Sequence, residues 1–155
     1  MKRITAIIPT FNEQHNIVDV IKSVDFADEI MIVDSFSTDK TVELATPLVD
    51  TILQRKYENS ASQKNWSIPQ AKYQWILLLD ADERVKKELK KEILSVLESK
   101  TNYSAFWIKR ENYFMGKKIY FSGWRGDRVI RLFKRDECKY EEKYVHAEIV
   151  SKGKI

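Results

Sequence analysis

The sequence predicts an α/β fold: an open, mostly parallel, doubly wound sheet with helices on both faces and antiparallel strands added in the second half. Two observations lead to this prediction. Short apolar runs rich in β-branched residues alternate with helix-like amphipathic stretches through the first half of the chain, which is typical of right-handed β-α-β units. Beyond Asp80 the strand-like runs contain aromatic residues and alternating charges, as expected for half-solvated antiparallel strands.

Each element of the first half follows from its residue pattern. The run 4–9 is apolar and is stopped by Pro9, which predicts a strand buried on both faces. Apolar residues then recur at helical spacing over 17–24, which predicts an amphipathic helix. The same patterns predict strands at 29–33, 49–54 and 74–79, a helix that starts at Thr38, and a helix over 61–71 that is broken near Pro69.

The second half is predicted to begin with an amphipathic helix over 86–97. Strand-like runs follow near 103–114, 117–122 and 128–134, and a further one spans 145–150. The lysine pairs at 86–87 and 90–91 lie on the polar side of the helix. A solvated face is the favoured interpretation of these lysines, and contact with anionic lipid headgroups is the alternative.

Composition excludes several classes of protein. The 155 residues are 43% hydrophobic, which suits one domain of ordinary size. The net charge of +4 comes from a mixed composition with 32% charged residues, so a nucleic-acid-binding arm is not expected. One cysteine, Cys138, excludes an internal disulfide and any multi-cysteine metal site, and it favours a reducing, cytoplasmic compartment. No apolar run approaches the roughly 20 residues of a membrane span.

Polar residues follow three of the predicted strands, at 10–13, at 34–35 and at 80–83. Ligands of open α/β sheets bind beyond the carboxyl ends of the strands, so we expect the three segments to converge on one rim. Asp80, Asp82 and Glu83 form the sharpest signal, because neighbouring carboxylates repel one another and favour a bound cation. A cap on the following helix is the alternative, but a cap needs only one acid.

The same segments carry a resemblance to a known family. The runs IPTFNE at 8–13, IVDSFSTDKT at 32–41 and LDADE at 79–83 resemble the three signatures of family 2 glycosyltransferases, which have the Rossmann-like GT-A fold. The runs WRGD at 124–127, RLF at 131–133 and VHAE at 145–148 resemble the subgroup that contains lipopolysaccharide-core glucosyltransferases. That subgroup usually places the acid directly after the histidine, whereas here Ala147 separates His146 from Glu148.

The resemblance implies a nucleotide-diphosphate sugar donor, most often a UDP-sugar, and Mg²⁺ or Mn²⁺ as the metal. Asp82 would bind the metal that bridges the diphosphate, and Asp80 would share the metal site and meet the ribose or sugar. Lys64 would lie near the nucleotide, and Arg131, or Arg128 as the alternative, would help to bind the diphosphate, since a guanidinium matches phosphate oxygens. Thr10, Glu13 and Asp34 would hold the base and ribose through hydrogen bonds, and Pro9, Asn12 and Ser35 are implied in nucleotide-sugar binding beside them.

The reaction implied by the resemblance is inverting transfer of glucose or another hexose to a hydroxyl of a glycan or glycolipid, in the synthesis of cell-surface polysaccharide or lipopolysaccharide. A carboxylate must then deprotonate the acceptor hydroxyl. Glu148 is preferred for this role and Asp127 is the second candidate. By the same resemblance, 1–100 would be the nucleotide-sugar half and 101–155 the start of an acceptor half that is truncated at its end.

Three other interpretations compete with this one. A sugar-phosphate nucleotidyltransferase uses a similar sheet, but its glycine-rich loop after the first strand is missing. A dinucleotide-dependent dehydrogenase is disfavoured because no Gly-x-Gly-x-x-Gly motif occurs. A module that binds nucleotide sugars without turnover would share the same fold. We expect a cytoplasmic enzyme, with peripheral contact to the inner face of the membrane as a secondary role for the basic residues.

Overall fold

A computed structural model describes residues 1–111 and 127–155, together with two short strands at 113–114 and 117–118. The predicted strand-like run at 117–122 and the WRGD run at 124–127 lie largely outside the described residues. The strands are β1 Ile4–Thr10, β2 Glu29–Asp34, β3 Thr51–Gln54, β4 Trp75–Leu78, β5 Ala105–Lys109, β6 Tyr113–Phe114, β7 Lys117–Lys118, β8 Arg128–Lys134, β9 Cys138–Tyr140 and β10 Ile149–Ser151. The helices are α1 Ile17–Ser23, α2 Thr41–Ala45, α3 Ser60–Ser67 and α4 Lys87–Glu98, with 3₁₀ turns at Thr46–Leu48 and Ile68–Gln70.

Six strands form the main sheet in the order β3-β2-β1-β4-β8-β5. The first four are parallel, β8 is antiparallel to β4, and β5 is antiparallel to β8. This arrangement confirms the predicted open, mostly parallel sheet with antiparallel strands added by the second half. The chain leaves β1 towards β2 and returns from β3 to the other side of β1, so the strand order reverses between β1 and β4. A crevice at the carboxyl ends of these two strands is where ligands of such sheets bind.

Helices cover both faces of the sheet, as predicted. On one face, α1 and α4 bury apolar residues that recur at helical spacing, including Ile17, Ile21, Ile93 and Leu97. On the other face, α3 and the β9-β10 hairpin pack against β1, β2 and β4. The central strands are buried on both sides, since every residue of β2 and β4 is buried, which explains the continuous apolar runs at 30–33 and 75–78.

Several predicted elements have different bounds in the structure: the strand expected over 49–54 begins at Thr51, and the run expected over 103–114 contains the two strands β5 and β6. Two further differences are larger or have a visible cause. The helix expected from Thr38 starts at Thr41, where the Asp39 carboxylate accepts hydrogen bonds from the backbone N–H and the hydroxyl of Thr41, as capping side chains do at a helix N-terminus. The strand expected over 145–150 is wrong for its first half. His146 has a φ of 52°, which is incompatible with an extended strand, so β10 starts only at Ile149.

None of the described helices is long and apolar enough to cross a membrane.

Candidate active site

The carboxyl ends of β1 and β2 are joined by hydrogen bonds. The backbone N–H of Ser35 donates to the carbonyl oxygen of Thr10 at 2.9 Å, and the Thr10 hydroxyl donates to the Asp34 carboxylate at 3.1 Å. Asp34 is fully buried, and its other carboxylate oxygen accepts from the backbone N–H of Ser37 at 2.9 Å and from Gln54 at 3.2 Å. Asp34 therefore holds the end of β1 and the loop after β2 in place from the interior of the protein.

Asn12 ties the loop after β1 to the loop after β2. Its side-chain oxygen accepts from the backbone N–H of Thr38 at 2.8 Å, and its own N–H donates to the Ser37 hydroxyl at 2.9 Å. The next N–H along the chain, of Glu13, donates to the Thr41 hydroxyl at 2.8 Å. Asn12 adopts a φ of 51°, a left-handed conformation that asparagine tolerates better than most residues. The two predicted loops thus form one hydrogen-bonded unit.

Asp80 lies between two buried cations at the end of β4. One carboxylate oxygen is 3.4 Å from the Lys64 ammonium of α3, and the other is 3.2 Å from the Arg131 guanidinium of β8. The side chains of Lys64 and Arg131 are only 9% and 7% exposed, whereas that of Asp80 is 44% exposed. The Asp80 carboxylate is therefore held by two buried cations on its inner side, while its solvent-exposed side remains accessible to ligands.

Glu83 and Tyr140 complete this buried network. The Glu83 carboxylate accepts from Arg131 Nε at 3.1 Å and from the backbone N–H of Asp80 at 2.8 Å. Arg131 also donates to the Tyr140 hydroxyl at 3.4 Å, and the Lys64 ammonium lies 5.0 Å from the centre of the Tyr140 ring. The network satisfies charges that would be costly to bury alone.

Burial and charge shift the pKa values of these groups in different directions. Burial lowers the pKa of Lys64, although the charge of Asp80 opposes the shift. Burial raises the pKa of the Tyr140 hydroxyl to about 12. Burial also acts to lower the pKa of Arg131, but the negative charges of Glu83 and Asp80 outweigh it, so that this pKa is raised. Arg131 therefore stays charged at every accessible pH.

Asp82 stands apart from the network. Its side chain is exposed and makes no hydrogen bond or ion pair with the part of the chain that the structure describes. Its neighbours hold the turn closed, since the backbone N–H of Glu83 donates to the carbonyl oxygen of Asp80 at 3.0 Å and Ala81 is only 4% exposed. The turn therefore presents Asp82 towards solvent beside the partly open carboxylate of Asp80.

Three consecutive residues of α3 connect the two parts of the rim. Gln63 donates to the Ser35 hydroxyl at 3.2 Å, and Lys64 pairs with Asp80. Asn65 exchanges two hydrogen bonds with the backbone of Tyr140, at 3.0 and 2.8 Å. The loops after β1, β2 and β4 therefore lie around one crevice, with α3 and β9 behind it.

The two candidates for the catalytic base lie in different surroundings. Asp127 precedes β8 and is paired with Arg110, with 2.7 Å between the carboxylate and the guanidinium. Glu148 precedes β10 and is exposed, while its backbone pairs with Glu141 across the β9-β10 loop. Among the described contacts, neither carboxylate is joined to the Asp80 network.

Sequence reasoning missed several residues of the rim. Arg55 directly follows β3 and its guanidinium donates to Ser62 at 3.0 Å and to Gln63 at 3.4 Å. Arg55 could have been identified from the sequence, because it directly follows a predicted strand and ligands of such sheets bind beyond the carboxyl ends of the strands. Tyr140 gave no clear signal in the sequence, because β9 is only three residues long and its alternation of buried and exposed residues is too short to predict a strand. Trp124, the first residue of the WRGD run, lies outside the described residues.

Comparisons with known proteins give a consistent result. The model of glycosyl transferase family 2 matches residues 5–149. An uncharacterized glycosyltransferase of Rickettsia bellii (strain RML369-C) is 40% identical over 111 residues, covering 70% of this chain and 38% of that protein. The lipopolysaccharide core biosynthesis glycosyltransferase LpsC of Rhizobium meliloti (strain 1021) is 28% identical over 158 residues, covering 98% of this chain and 58% of that protein. The chain thus spans about two fifths to three fifths of these relatives.

Two solved structures share the fold. S. aureus TarS 1–349 in complex with UDP-GlcNAc is 25% identical with a TM-score of 0.51, covering 60% of this chain and 30% of that chain. Glucosyl-3-phosphoglycerate synthase from Mycobacterium tuberculosis, in complex with Mn²⁺, UDP and glucosyl-3-phosphoglycerate, is 18% identical with a TM-score of 0.56. The latter match covers 67% of this chain and 42% of that chain.

The strand order, the helices on both faces and the polar rim define an α/β protein of the GT-A type. The predicted fold class is therefore confirmed. Because the family model covers nearly the whole chain, the protein belongs to glycosyl transferase family 2. The resemblance seen in the three sequence motifs is thereby confirmed, and the match to LpsC agrees with the resemblance to lipopolysaccharide-core enzymes.

Proposed function

We propose that this chain transfers a hexose, with glucose as the first candidate, from a UDP-sugar to a hydroxyl of a glycan or glycolipid, with inversion. The observation that carries the proposal is the arrangement of Asp80 and Asp82 at the strand-order reversal: one carboxylate is held by Lys64 and Arg131 and the other is exposed. Membership of the family, the complex of TarS with UDP-GlcNAc and the name of LpsC support it.

The nucleotide is proposed to bind on the joined loops after β1 and β2. Pro9, Asn12, Glu13 and Ser35 would line this surface, and the buried residues Thr10 and Asp34 would support it through their hydrogen bonds. Lys64 and Arg131 add positive charge beneath the place where the diphosphate would pass. Partly desolvated cations attract phosphate oxygens more strongly than exposed ones do.

The turn at 80–83 fits a divalent cation, because Asp82 offers carboxylate oxygens that the described residues leave unpaired. Among the described residues no group of three or more His, Cys, Asp or Glu side chains could hold a metal, so the diphosphate and water would supply the remaining ligands, as is common for Mg²⁺ and Mn²⁺. Since Asp80 already faces two cations, we assign direct ligation to Asp82. When bound, the metal would stabilise the charge of the leaving diphosphate.

The chemistry is proposed to be a direct displacement. The acceptor oxygen forms a bond to the anomeric carbon while the bond from that carbon to the diphosphate breaks, and UDP leaves. Glu148 is the proposed base that takes the hydroxyl proton, because it is exposed, whereas the Asp127 carboxylate is engaged by Arg110. The ion pair with Arg110 occupies a carboxylate oxygen that Asp127 would have to present to the acceptor hydroxyl.

We further propose that 1–100 forms the donor half and that 101–155 begins the acceptor half. The single free cysteine, Cys138, is buried, which agrees with a reducing, cytoplasmic compartment. Peripheral contact with the inner face of a membrane would bring the chain to a lipid-linked acceptor, and the lysines of α4 are the proposed contact.

Calorimetric titration with UDP, with and without Mn²⁺, tests the donor site. Asp82→Asn is expected to raise the Kd for UDP in the presence of Mn²⁺ by at least about tenfold, since loss of groups at metal sites commonly costs 10–100-fold. Asp136→Asn is the matched control, because Asp136 is an exposed acid at the opposite end of the sheet. UDP binding that does not depend on Mn²⁺ in the unmodified chain would refute the proposed metal site.

The release of UDP from UDP-glucose, with a panel of acceptors, tests turnover. Glu148→Gln is expected to abolish release and leave UDP binding unchanged, whereas Glu142→Gln, an exposed neighbour in the same loop, should retain activity. Loss of turnover in Asp127→Asn alone would transfer the role of base to Asp127. Binding without release in the unmodified chain would identify a non-catalytic module.

A further inference from the structure

Arg84 makes an unusual set of contacts directly after the acidic turn. Its Nη1 donates to the carbonyl oxygens of Ala81 and Glu83, both at 2.8 Å, and its Nη2 donates to the side-chain oxygen of Asn16 at 2.9 Å. Asn16 in turn donates to the carboxylate of Glu13 at 2.9 Å. A chain of hydrogen bonds therefore crosses the crevice from the loop after β4 to the loop after β1.

The two carbonyl groups that Arg84 binds belong to Ala81 and Glu83, the residues that flank Asp82, and the Ala81 carbonyl is part of the peptide group that joins Ala81 to Asp82. Asp82 itself has no side-chain partner among the described residues, so its orientation depends on the backbone of the turn. Arg131 fixes the side chains of Asp80 and Glu83, but it makes none of the described contacts to the peptide groups next to Asp82. Arg84 provides that restraint through charge-assisted hydrogen bonds, which are stronger than neutral ones.

We propose that Arg84 is a positioning residue of the donor site: it fixes the backbone on both sides of Asp82 and joins that turn to Glu13 across the crevice. The inference rests on the proposed function, because it takes Asp82 as the metal ligand. A ligand that is already held in its binding orientation loses less conformational entropy when the metal and diphosphate arrive. Arg84 thus acts on donor binding through Asp82 and contacts neither metal nor nucleotide.

A role in folding alone predicts a different result from a role in positioning. If Arg84 only stabilised the fold, its replacement would lower the fraction of folded protein and leave the affinity of the folded fraction for UDP unchanged. If Arg84 positions Asp82, the Kd for UDP measured with Mn²⁺ increases while the Kd measured without Mn²⁺ is unchanged. The ratio of these two constants therefore separates the roles.

The chain contains a matched control. Arg135 also donates through Nη1 to two backbone carbonyl oxygens, those of Ala71 at 2.8 Å and Lys72 at 3.4 Å. It lies just after β8, at the end of the sheet opposite the candidate site. Arg135→Ala thus removes an equivalent set of contacts from a loop that has no proposed role in donor binding.

The test is calorimetric titration of the 155-residue chain with UDP, with and without Mn²⁺, for the unmodified protein, Arg84→Ala, Arg84→Lys, Asn16→Ala and Arg135→Ala. Arg84→Ala is expected to raise the Kd measured with Mn²⁺ by about tenfold, in the range found for residues that orient metal ligands. Arg84→Lys keeps the charge but not the fork of donors, so it should recover part of the affinity. Asn16→Ala should cause a smaller loss, and Arg135→Ala no change.

Each result decides the proposal. If the unmodified chain binds UDP with Mn²⁺ and Arg84→Ala does so equally well, the positioning role is refuted and the donor site stands. If the unmodified chain shows no Mn²⁺-dependent binding, the proposed function fails and the inference fails with it. If Arg84→Ala is too unstable to titrate, Arg84→Lys decides, because a lysine lacks the fork of donors that holds both carbonyl oxygens and Asn16: a Kd with Mn²⁺ equal to that of the unmodified chain would refute the proposal.

Discussion

Replacement of Arg131 tests whether the buried network stabilises the fold. The guanidinium joins β8 to the turn after β4, through Asp80 and Glu83, and to Tyr140 of β9. Its side chain is only 7% exposed. Arg131→Ala therefore removes three hydrogen bonds from a buried position and leaves two carboxylates close together without their shared cation.

The expected cost follows from the exposure of the partners. Removal of one member of a buried ion pair typically costs about 3–5 kcal/mol. Here the side chains of Asp80 and Glu83 are 44% and 20% exposed, so water replaces part of the lost interaction, and Lys64 still faces Asp80. We therefore expect a loss of about 3 kcal/mol in the free energy of unfolding. For a chain of this size, that corresponds to a decrease in Tm of roughly 6–12 °C.

Urea denaturation followed by circular dichroism measures this loss. Arg131→Met should destabilise the protein nearly as much as Arg131→Ala, because the aliphatic stem is kept and only the charge and donors are lost. Arg128→Ala is the control on the same strand, since Arg128 is exposed and contacts the Trp107 ring at 5.0 Å, an interaction worth about 0.5–1 kcal/mol. A loss for Arg131→Met no larger than that for Arg128→Ala would refute the reasoning.

Three further predictions follow from single contacts. Asn12→Ala should cost about 1–2 kcal/mol in urea denaturation, because the N–H of Thr38 loses its acceptor. Ile93→Ala should cost about 2–5 kcal/mol in the same assay, because Ile93 is 1% exposed in the core beneath α4. Cys138 should react with a thiol reagent at pH 8 much more slowly in the native chain than in urea, because burial raises the pKa of its thiol. By the same shift, the stability that Cys138 contributes should be complete below the ordinary thiol pKa and decrease above it. Equal labelling rates in the two states would contradict the burial of Cys138.

The sequence predicts best the strands that lie in the centre of the main sheet. Buried parallel strands such as β2 and β4 are apolar on both faces, so their sequence differs clearly from that of helices and loops. The errors occur where the local residue pattern does not determine the backbone conformation. Asn12, in the loop after β1, binds the N–H groups of Thr38 and Asp39 in the loop before α2, and His146 adopts a left-handed conformation before β10. Neither feature is visible in a local window of sequence.

In the candidate site, too, some features could be predicted from the sequence and others could not. The positions of Asp34, Asp80 and Lys64 near one rim followed from the sheet topology and the motifs. Their partners did not, because a hydrogen bond between residues far apart in sequence has no local signature. The sequence suggested that Arg131 binds phosphate, but it gave no sign that this arginine pairs with Asp80 and Glu83 or that it is almost fully buried.

The composition of α3 shows why this site depends on long-range contacts. The helix has few apolar residues, yet Gln63 and Lys64 are 2% and 7% exposed. Buried polar side chains are tolerated only when each has a partner, and successive residues of a helix point about 100° apart. Gln63, Lys64 and Asn65 therefore reach three different elements: the loop after β2, the loop after β4 and strand β9. A polar helix in this position can be buried only if all three of these elements are in place to bind its side chains. The packing of α3 and the assembly of the rim therefore depend on each other.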